Sequence, residues 1–450
     1  MNTSSIFYRM VVLAMLCILP AQAKIHVKLT QGSATDHPIA VTDFQGATPE
    51  HAQFGREMAR AMRTNFTNAG VFNVISQKAF IQNADDALKE PKFRDWRVIG
   101  ARSLVVGKLS PTMDGRVQFS YILYNVLTQK EVVSHTLTTD KRSWRRLVHM
   151  ASDDIYKRLM GEDGFFDSQV AYIAERKQGT QAIKQLAIMD QDGENHRYLT
   201  MGKNIVLTPR FSPTRNEIVY LDYGITNTVP KVYILNLKTG MRTLVGRFPG
   251  MTYAPRYSPD GKKVLMSATD KGAYSHIYEM DLGTKSIRKL TEGKYIDTSP
   301  SYSPDGKKIV FNSDRPGTQQ LYVMDSNGKN IKRISFGPGG RYAAPVWSPR
   351  GDMICFTKIF DGAFHIGVMR TDGKGERLLS TGYIVEDPFW SPNGKAIIFT
   401  RQDRAKEKGK NGDRRIRIID LAGFYERNLP TPSGVNAVTA TWSPSRDKIL

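Results

Sequence analysis

Along the first third of the chain the hydrophobic positions follow two periods in turn. Ile25, Val27 and Leu29 alternate with polar residues, as a half-buried strand would. From Thr48 the period lengthens: Phe54, Met58, Ala61 and Met62 share one helical face, Thr48 supplies an N-cap hydroxyl, Pro49 suits the first helical position, and Gly70 stops the run. Val117, Phe119, Tyr121 and Leu123 alternate again. Trp144, Leu147, Val148, Ala151, Ile155 and Leu159 then form a second amphipathic helix, closed by Gly161. Alternating strands with two helices predict an α/β amino-terminal domain over residues 24–165.

Residues 166–450 carry β-type segments only, and they repeat. An aromatic-Ser-Pro motif occurs six times, with serines at Ser212, Ser258, Ser303, Ser348, Ser391 and Ser443, that is 46, 45, 45, 43 and 52 residues apart. A second apolar run ending in a turn also occurs six times, at Leu186–Asp190, Val232–Asn236, Ile277–Asp281, Leu321–Asp325, Ile366–Arg370 and Ile416–Asp420. A period in the mid-forties built from strands is the pattern of propeller blades. Each motif has a local reason. Pro ends a strand because it lacks the N–H that continues the ladder, and Asp-Gly or Asn-Gly tolerates the tight turn that follows.

The phase of the two motifs predicts how the ring closes. Ser443 has no second motif after it, and Asp190 has no Ser-Pro before it. A strand at Val438–Trp442 joined to three strands from residues 169–200 completes both orphans. The expectation is an all-β six-bladed β-propeller closed by a one-plus-three strand exchange, which leaves no open sheet edge.

Composition changes this picture little. At 450 residues with 40% hydrophobic and 24% charged positions the chain reads as globular, and the two cysteines exclude a disulfide scaffold. Residues 1–23 read as a secretory signal peptide: Arg9, an apolar stretch from Met10 to Leu19, and the Ala21-Gln22-Ala23 cleavage pattern. As a helix that stretch rises only about 15 Å, short of the roughly 30 Å a membrane span needs. Cys17 follows Leu16 rather than the small residue a lipid-attachment site needs. Cys355, within Met353–Phe356, reads as a buried strand thiol. The net charge of +21 is scattered; its one dense block, 404–415, is interleaved with acids, Gly and Asn and reads as a solvated loop. No nucleic-acid partner is expected.

Chemistry is sparse. No G-x-S-x-G elbow, glycine-rich phosphate loop, H-x-H or H-x-x-x-H pair occurs. Asp190-Gln191-Asp192-Gly193 has the look of a calcium loop, but the downstream ligands do not follow and the segment falls at a hairpin turn. No catalytic residue, metal site or cofactor is expected, and the chain reads as a binding protein rather than an enzyme. The competing reading is a propeller enzyme of lactonase or dehydrogenase type, which needs convergent acids or histidines at the channel; only Asp297, Glu386 and Asp387 are acidic there.

An export signal, a small α/β domain and a six-bladed propeller of aromatic-Ser-Pro-Asp-Gly repeats, in that order, resemble the TolB family of the Tol-Pal envelope system. Pro38-Ile39-Ala40-Val41, Asn68-Ala69-Gly70-Val71-Phe72, the stretch from Leu104 to Leu109 and the segment from Met150 to Asp154 carry the likeness beyond the repeats. The resemblance implies a monomeric periplasmic adaptor, peripheral to the envelope membranes, that serves outer-membrane integrity and constriction at cell division. It implies a lipoprotein partner, Pal, at one propeller mouth. The loops just before the innermost strands are expected to supply that site, with Met251, Tyr253, Ala254, Thr298, Arg341, Tyr342 and Glu386 as candidates. Ala254 and Thr298 match the family's contact positions, whereas Met251 stands where members carry His. It implies a second partner, TolA, for the arm Lys24, Ile25, His26, Val27, Lys28, Leu29, Thr30, Gln31, Gly32, Ser33, Ala34, Thr35 and Asp36, able to add to a partner's sheet edge. An ordinary edge strand of its own domain is the alternative for that arm.

Overall fold

The structure is a computed structural model that describes residues 37–178, 181–224, 229–246, 252–270, 274–337, 339–405 and 412–448. The leader at 1–23, the arm at 24–36 and Met251 lie outside the described residues. Residues from His37 onward form one compact unit.

The amino-terminal part is a mixed sheet with helices. Its strands are β1 (His37–Val41), β2 (Gln45–Gly46), β3 (Phe72–Val74), β4 (Ser103–Pro111), β5 (Val117–Asn125) and β6 (Lys130–Thr139), in the order β3-β1-β4-β5-β6 with β2 also on β4. The β1 pairings to β3 and β4 are parallel, while β4, β5 and β6 run antiparallel. Helix α1 (Pro49–Ala69) starts where the sequence placed it: Thr48 Oγ1 accepts the His51 N–H, and Gly70 ends the helix in the left-handed region at φ 72°. Two short helices that periodicity missed, α2 (Ala84–Lys89) and α3 (Phe93–Val98), enclose Trp96, whose Nε1 donates to Gln82 Oε1 at 3.0 Å. Helix α4 (Trp144–Met160) packs beside α1 and buries Leu147, Val148, Ala151 and Ile155.

The remainder is a propeller of six four-stranded sheets. Five blades run through consecutive strands, with innermost strands Val206–Phe211, Thr252–Tyr257, Asp297–Tyr302, Arg341–Trp347 and Ile384–Trp390. The sixth takes its innermost strand, Asn436–Trp442, from the far end of the sequence and three from near residue 170: β7 (Gln169–Gln178), β8 (Gln181–Asp190) and β9 (Arg197–Tyr198). Val438 pairs with Ile173 and Trp442 with Val170. Gln169 N–H donates to Ser443 Oγ and Ser443 N–H to Gln169 O, both at 2.8 Å, so the closure is hydrogen-bonded to its last rung.

The Ser-Pro motif acts as a cap on the inner hairpin. Ser303 Oγ donates to Asp305 Oδ1 at 2.6 Å and accepts the Lys308 N–H at 2.9 Å, and Ser258 does the same with Asp260 and Lys263. One hydroxyl thus satisfies the first amide of the next strand and fixes the Asp that turns the chain. From Pro444 to Lys448 the chain neither extends its strand nor leaves the surface. Residues Arg446–Lys448 form a 3₁₀ turn, and Arg446 Nε holds Asp167 Oδ1 at 2.6 Å.

The α/β sheet and propeller share one hydrophobic cluster. Phe66, Phe72, Tyr156, Phe165 and Phe166 pack with Trp442, Ile398, Ile416 and Ile418. The Phe165 ring meets the Trp442 ring edge-on at 5.5 Å.

Candidate functional site at the channel mouth

The six innermost strands touch their neighbours around a central channel. Each one bulges. The pairing jumps from Leu207 to Arg210, Tyr253 to Arg256, Thr298 to Ser301, Ala343 to Val346, Glu386 to Phe389 and Val438 to Thr441, so three steps of the inner strand span two of its neighbour. At every jump a residue other than glycine adopts positive φ: Thr208, Ala254, Ser299, Ala344, Asp387 and Thr439, all between 48° and 56°. For an L-residue this conformation costs on the order of 1 kcal/mol. The neighbouring blade offsets part of it. Ser299 N–H donates to Ser267 Oγ at 3.2 Å and Thr439 N–H to Thr400 Oγ1 at 3.0 Å.

These bulges correct the expected location of the site. The candidate residues do not sit in loops before the innermost strands; most lie within the first half of those strands. Tyr253, Thr298 and Glu386 occupy one register level of three different blades, each partly exposed, and Ala254 is the positive-φ residue beside Tyr253. Thr298 Oγ1 accepts a hydrogen bond from Asn312 Nδ2 at 2.8 Å. Burial and the adjacent Asp387 carboxylate hold the Glu386 carboxyl above its ordinary range. Arg341 is exposed at the start of its strand.

Tyr342, a candidate for this mouth, is withdrawn from it. Its side chain is fully buried, its hydroxyl donates to Glu376 Oε2 at 2.7 Å, and the Lys358 ammonium lies 4.9 Å from its ring centroid. It therefore belongs to the blade interior, leaving Tyr253 as the partly exposed aromatic of this ring. Asp297 is also withdrawn, clamped by Arg315 through two 2.8 Å bonds.

The other end of the channel is different. Residues of all six Ser-Pro motifs line a cavity of about 520 Å³ that also meets Glu162, Asp163 and Gly164, between α4 and β7. Glu162 pairs with Arg350 at 3.1 Å and Lys395 at 3.0 Å, fastening this segment across two blades. The Tyr253 level thus lies toward the channel end that this segment does not cover.

One group among the described residues has metal-ligand composition: His149, Asp190 and Asp192, all buried where α4 meets the propeller. Sequence spacing did not reveal it, because the histidine and the acids come from separate elements. Hydrogen bonding decides its chemistry. Gln191 Nε2 donates to Asn65 Oδ1 at 3.0 Å, which turns Asn65 Nδ2 toward Ser152 Oγ at 2.9 Å and His149 Nδ1 at 3.1 Å. His149 Nδ1 is therefore the acceptor, and the ring proton sits on Nε2, 3.9 Å from Asp190 and 3.7 Å from Asp192. A protonated ring nitrogen does not ligate a cation, and Arg145, 2.7 Å from Asp192, already neutralises that carboxylate. The cluster forms a polar latch between α4 and the end of β8. Burial lowers the His149 pKa, opposed by the two acids, and favours the neutral ring.

Fold and repeats define a propeller protein: an α/β domain fused to six blades built on an aromatic-Ser-Pro repeat. Comparison with known proteins narrows this. The family model described as the TolB beta propeller domain matches residues 156–446, and the TolB amino-terminal domain matches residues 25–132. The chain is 50% identical over 434 residues to the Tol-Pal system protein TolB of Paramagnetospirillum magneticum, covering 96% of both chains. It superposes on the crystal structure of TolB from Acinetobacter baumannii with TM-score 0.79 at 27% identity, covering 91% of this chain and 97% of that one. A 12% identical match to hydrazine synthase of Kuenenia stuttgartiensis, TM-score 0.52 over 63% of this chain and 47% of that one, shows a shared fold alone. The chain belongs to the TolB family.

Proposed function

We propose that this protein is a non-enzymatic, monomeric adaptor of the Tol-Pal system in the periplasm. It binds the lipoprotein Pal at the channel mouth and TolA through the arm at 24–36, and so serves outer-membrane integrity and constriction during cell division. The observation that carries this reading is the 50% identity to a Tol-Pal system TolB across 96% of both chains. The ring geometry supports it. Three register-matched, partly exposed positions, Tyr253, Thr298 and Glu386, flank a rigid row of bulges and present an aromatic face, a hydroxyl and a carboxyl to one partner. Among the described residues no helix is long and apolar enough to cross a membrane.

The test is a pull-down of the leader-free protein from envelope extracts. Recovery of a peptidoglycan-binding lipoprotein and a TolA-like protein is expected, and recovery of neither ends the adaptor reading. Thr298→Arg forces a long cation into the ring and is expected to weaken lipoprotein binding at least about tenfold, with the circular dichroism spectrum unchanged. Undiminished binding by the folded variant would move the docking site away from this mouth.

A further inference from the structure

The cavity at the Ser-Pro end contains an electrostatic imbalance that binding at the opposite mouth does not use. Arg210 and Arg256 occupy equivalent positions on the innermost strands of adjacent blades, just past the bulge. Both line the cavity, and both are more than nine-tenths buried. Neither has a carboxylate within ion-pair distance among the described residues, and the Nε of each lacks any hydrogen-bond partner. Arg210 Nη1 reaches only its neighbouring Pro209 carbonyl, at 2.7 Å.

Some compensation exists, but it is small. Each guanidinium lies 5.5 Å from the Phe389 ring centroid, in cation–π range, and Asp387 acts on both through space. Asp387 is shared and also accepts the Thr439 hydroxyl at 3.2 Å. The acids at the cavity rim, Glu162 and Asp163, are spoken for by Arg350, Lys395, Lys157 and Lys448. Two cations in the channel therefore face one another with a single distant counter-charge. Burial pushes Arg210 down to about 10, and burial together with the Arg210 charge pushes Arg256 well below its ordinary range. Buried charges of this kind are ordinarily paired.

We propose that this cavity is a binding site for a small oxyanion, held between the Arg210 and Arg256 guanidiniums over the Phe389 ring. The chemistry recognised is a phosphate or carboxylate group, whose oxygens match the planar forks of two arginines. At about 520 Å³ the cavity admits a small organic anion with some of its water. Ser301, at the same register level and also lining the cavity, adds a hydroxyl donor.

The experiment titrates the leader-free protein by calorimetry with inorganic phosphate and, separately, with succinate, at ionic strength matched with sodium chloride. Saturable one-site binding of either probe is expected, and the probe that binds identifies the phosphate or the carboxylate source. Arg256→Gln and Arg210→Gln are each expected to lower that affinity at least about tenfold, while the surface variant Arg377→Gln leaves it unchanged. Phosphorus relaxation of phosphate, or proton relaxation of succinate, over the unaltered protein reads the same site without a variant, should either substitution fail to fold. No saturable binding of either probe to the unaltered protein overturns the proposal, as does equal affinity in both folded arginine variants.

Discussion

Replacing Trp442 with Ala tests the closure of the ring. Trp442 ends the innermost strand of the closing blade, is 2% exposed, meets Phe165 edge-on at 5.5 Å, and donates from Nε1 to Ser168 Oγ at 2.8 Å. Burying an indole removes roughly 200 Å² from water, worth about 5 kcal/mol at ~25 cal/mol/Å². Losing the side chain also removes the donor to the buried Ser168 hydroxyl, which keeps its bond to Phe165 O, while partial collapse of the cavity returns some of the loss. Truncations of this class cost about 3–5 kcal/mol. The damage should appear first where the two ends of the propeller join. Amides of Ala171 and Ile173, which pair with Thr441 and Val438, should lose about two to three powers of ten in hydrogen-exchange protection. Trp390 ends the innermost strand of a continuous blade, its Nε1 donating to Val346 O of the neighbouring blade at 2.9 Å. Trp390→Ala should destabilise the fold similarly yet leave the protection of Ala171 and Ile173 no lower than that of the other blades. If Trp442→Ala spares those two amides, the join is not the site at which the ring opens, and the reasoning fails.

Asp153 gives a pH signature. Burial raises its carboxyl to about 7, against two backbone N–H bonds from Phe166 and Asp167 at 2.8 Å that favour the charge. An acid whose folded pKa lies above its unfolded value of 3.8 adds stability below that value and loses it as pH rises through about 7, by up to about 4 kcal/mol. Urea midpoints should fall between pH 4 and 7 and level off above, and Asp153→Asn should flatten that slope; parallel curves would refute the assignment. Ser303→Ala leaves the Lys308 amide without its 2.9 Å acceptor and should cost about 1–3 kcal/mol by urea denaturation, an unchanged midpoint counting against the capping role. Cys355 is fully buried, and burial pushes its thiol far up, so mass spectrometry should find it unmodified by a thiol reagent until denaturant is added. Labelling at the rate of a free thiol in native buffer would show an accessible site.

The propeller was legible because its repeats spell out their own turns. Ser-Pro ends an inner strand and Asp-Gly starts the next, and counting orphan motifs predicted which strands close the ring. The helices α1 and α4 were legible through their caps and apolar stripes. The helices α2 and α3 were not, since six residues hold fewer than two turns and leave no period to read. The bulges were missed although they leave a trace: Pro209, Pro255, Pro300, Pro345 and Pro388 each precede a Ser-Pro serine by three residues, and the residue before each takes positive φ. Without that clue the pattern places the mouth residues in loops and gives no sign that Tyr342 is buried in its blade. The arginine pair was invisible for another reason. The equivalent positions hold Arg210, Arg256, Ser301, Val346, Phe389 and Thr441, six side chains with no common chemistry, and only strand register aligns them.

The one-plus-three blade also sets an order of events during biosynthesis. Its outer three strands leave the ribosome before any complete blade has formed, and they wait through roughly 240 residues of further synthesis for the innermost strand they need, at Asn436–Trp442. Until then β7 keeps an unpaired inner edge, and the nascent chain has no circular lowest-energy state to fall into. The ring as a whole therefore locks only when the strand at Asn436–Trp442 arrives.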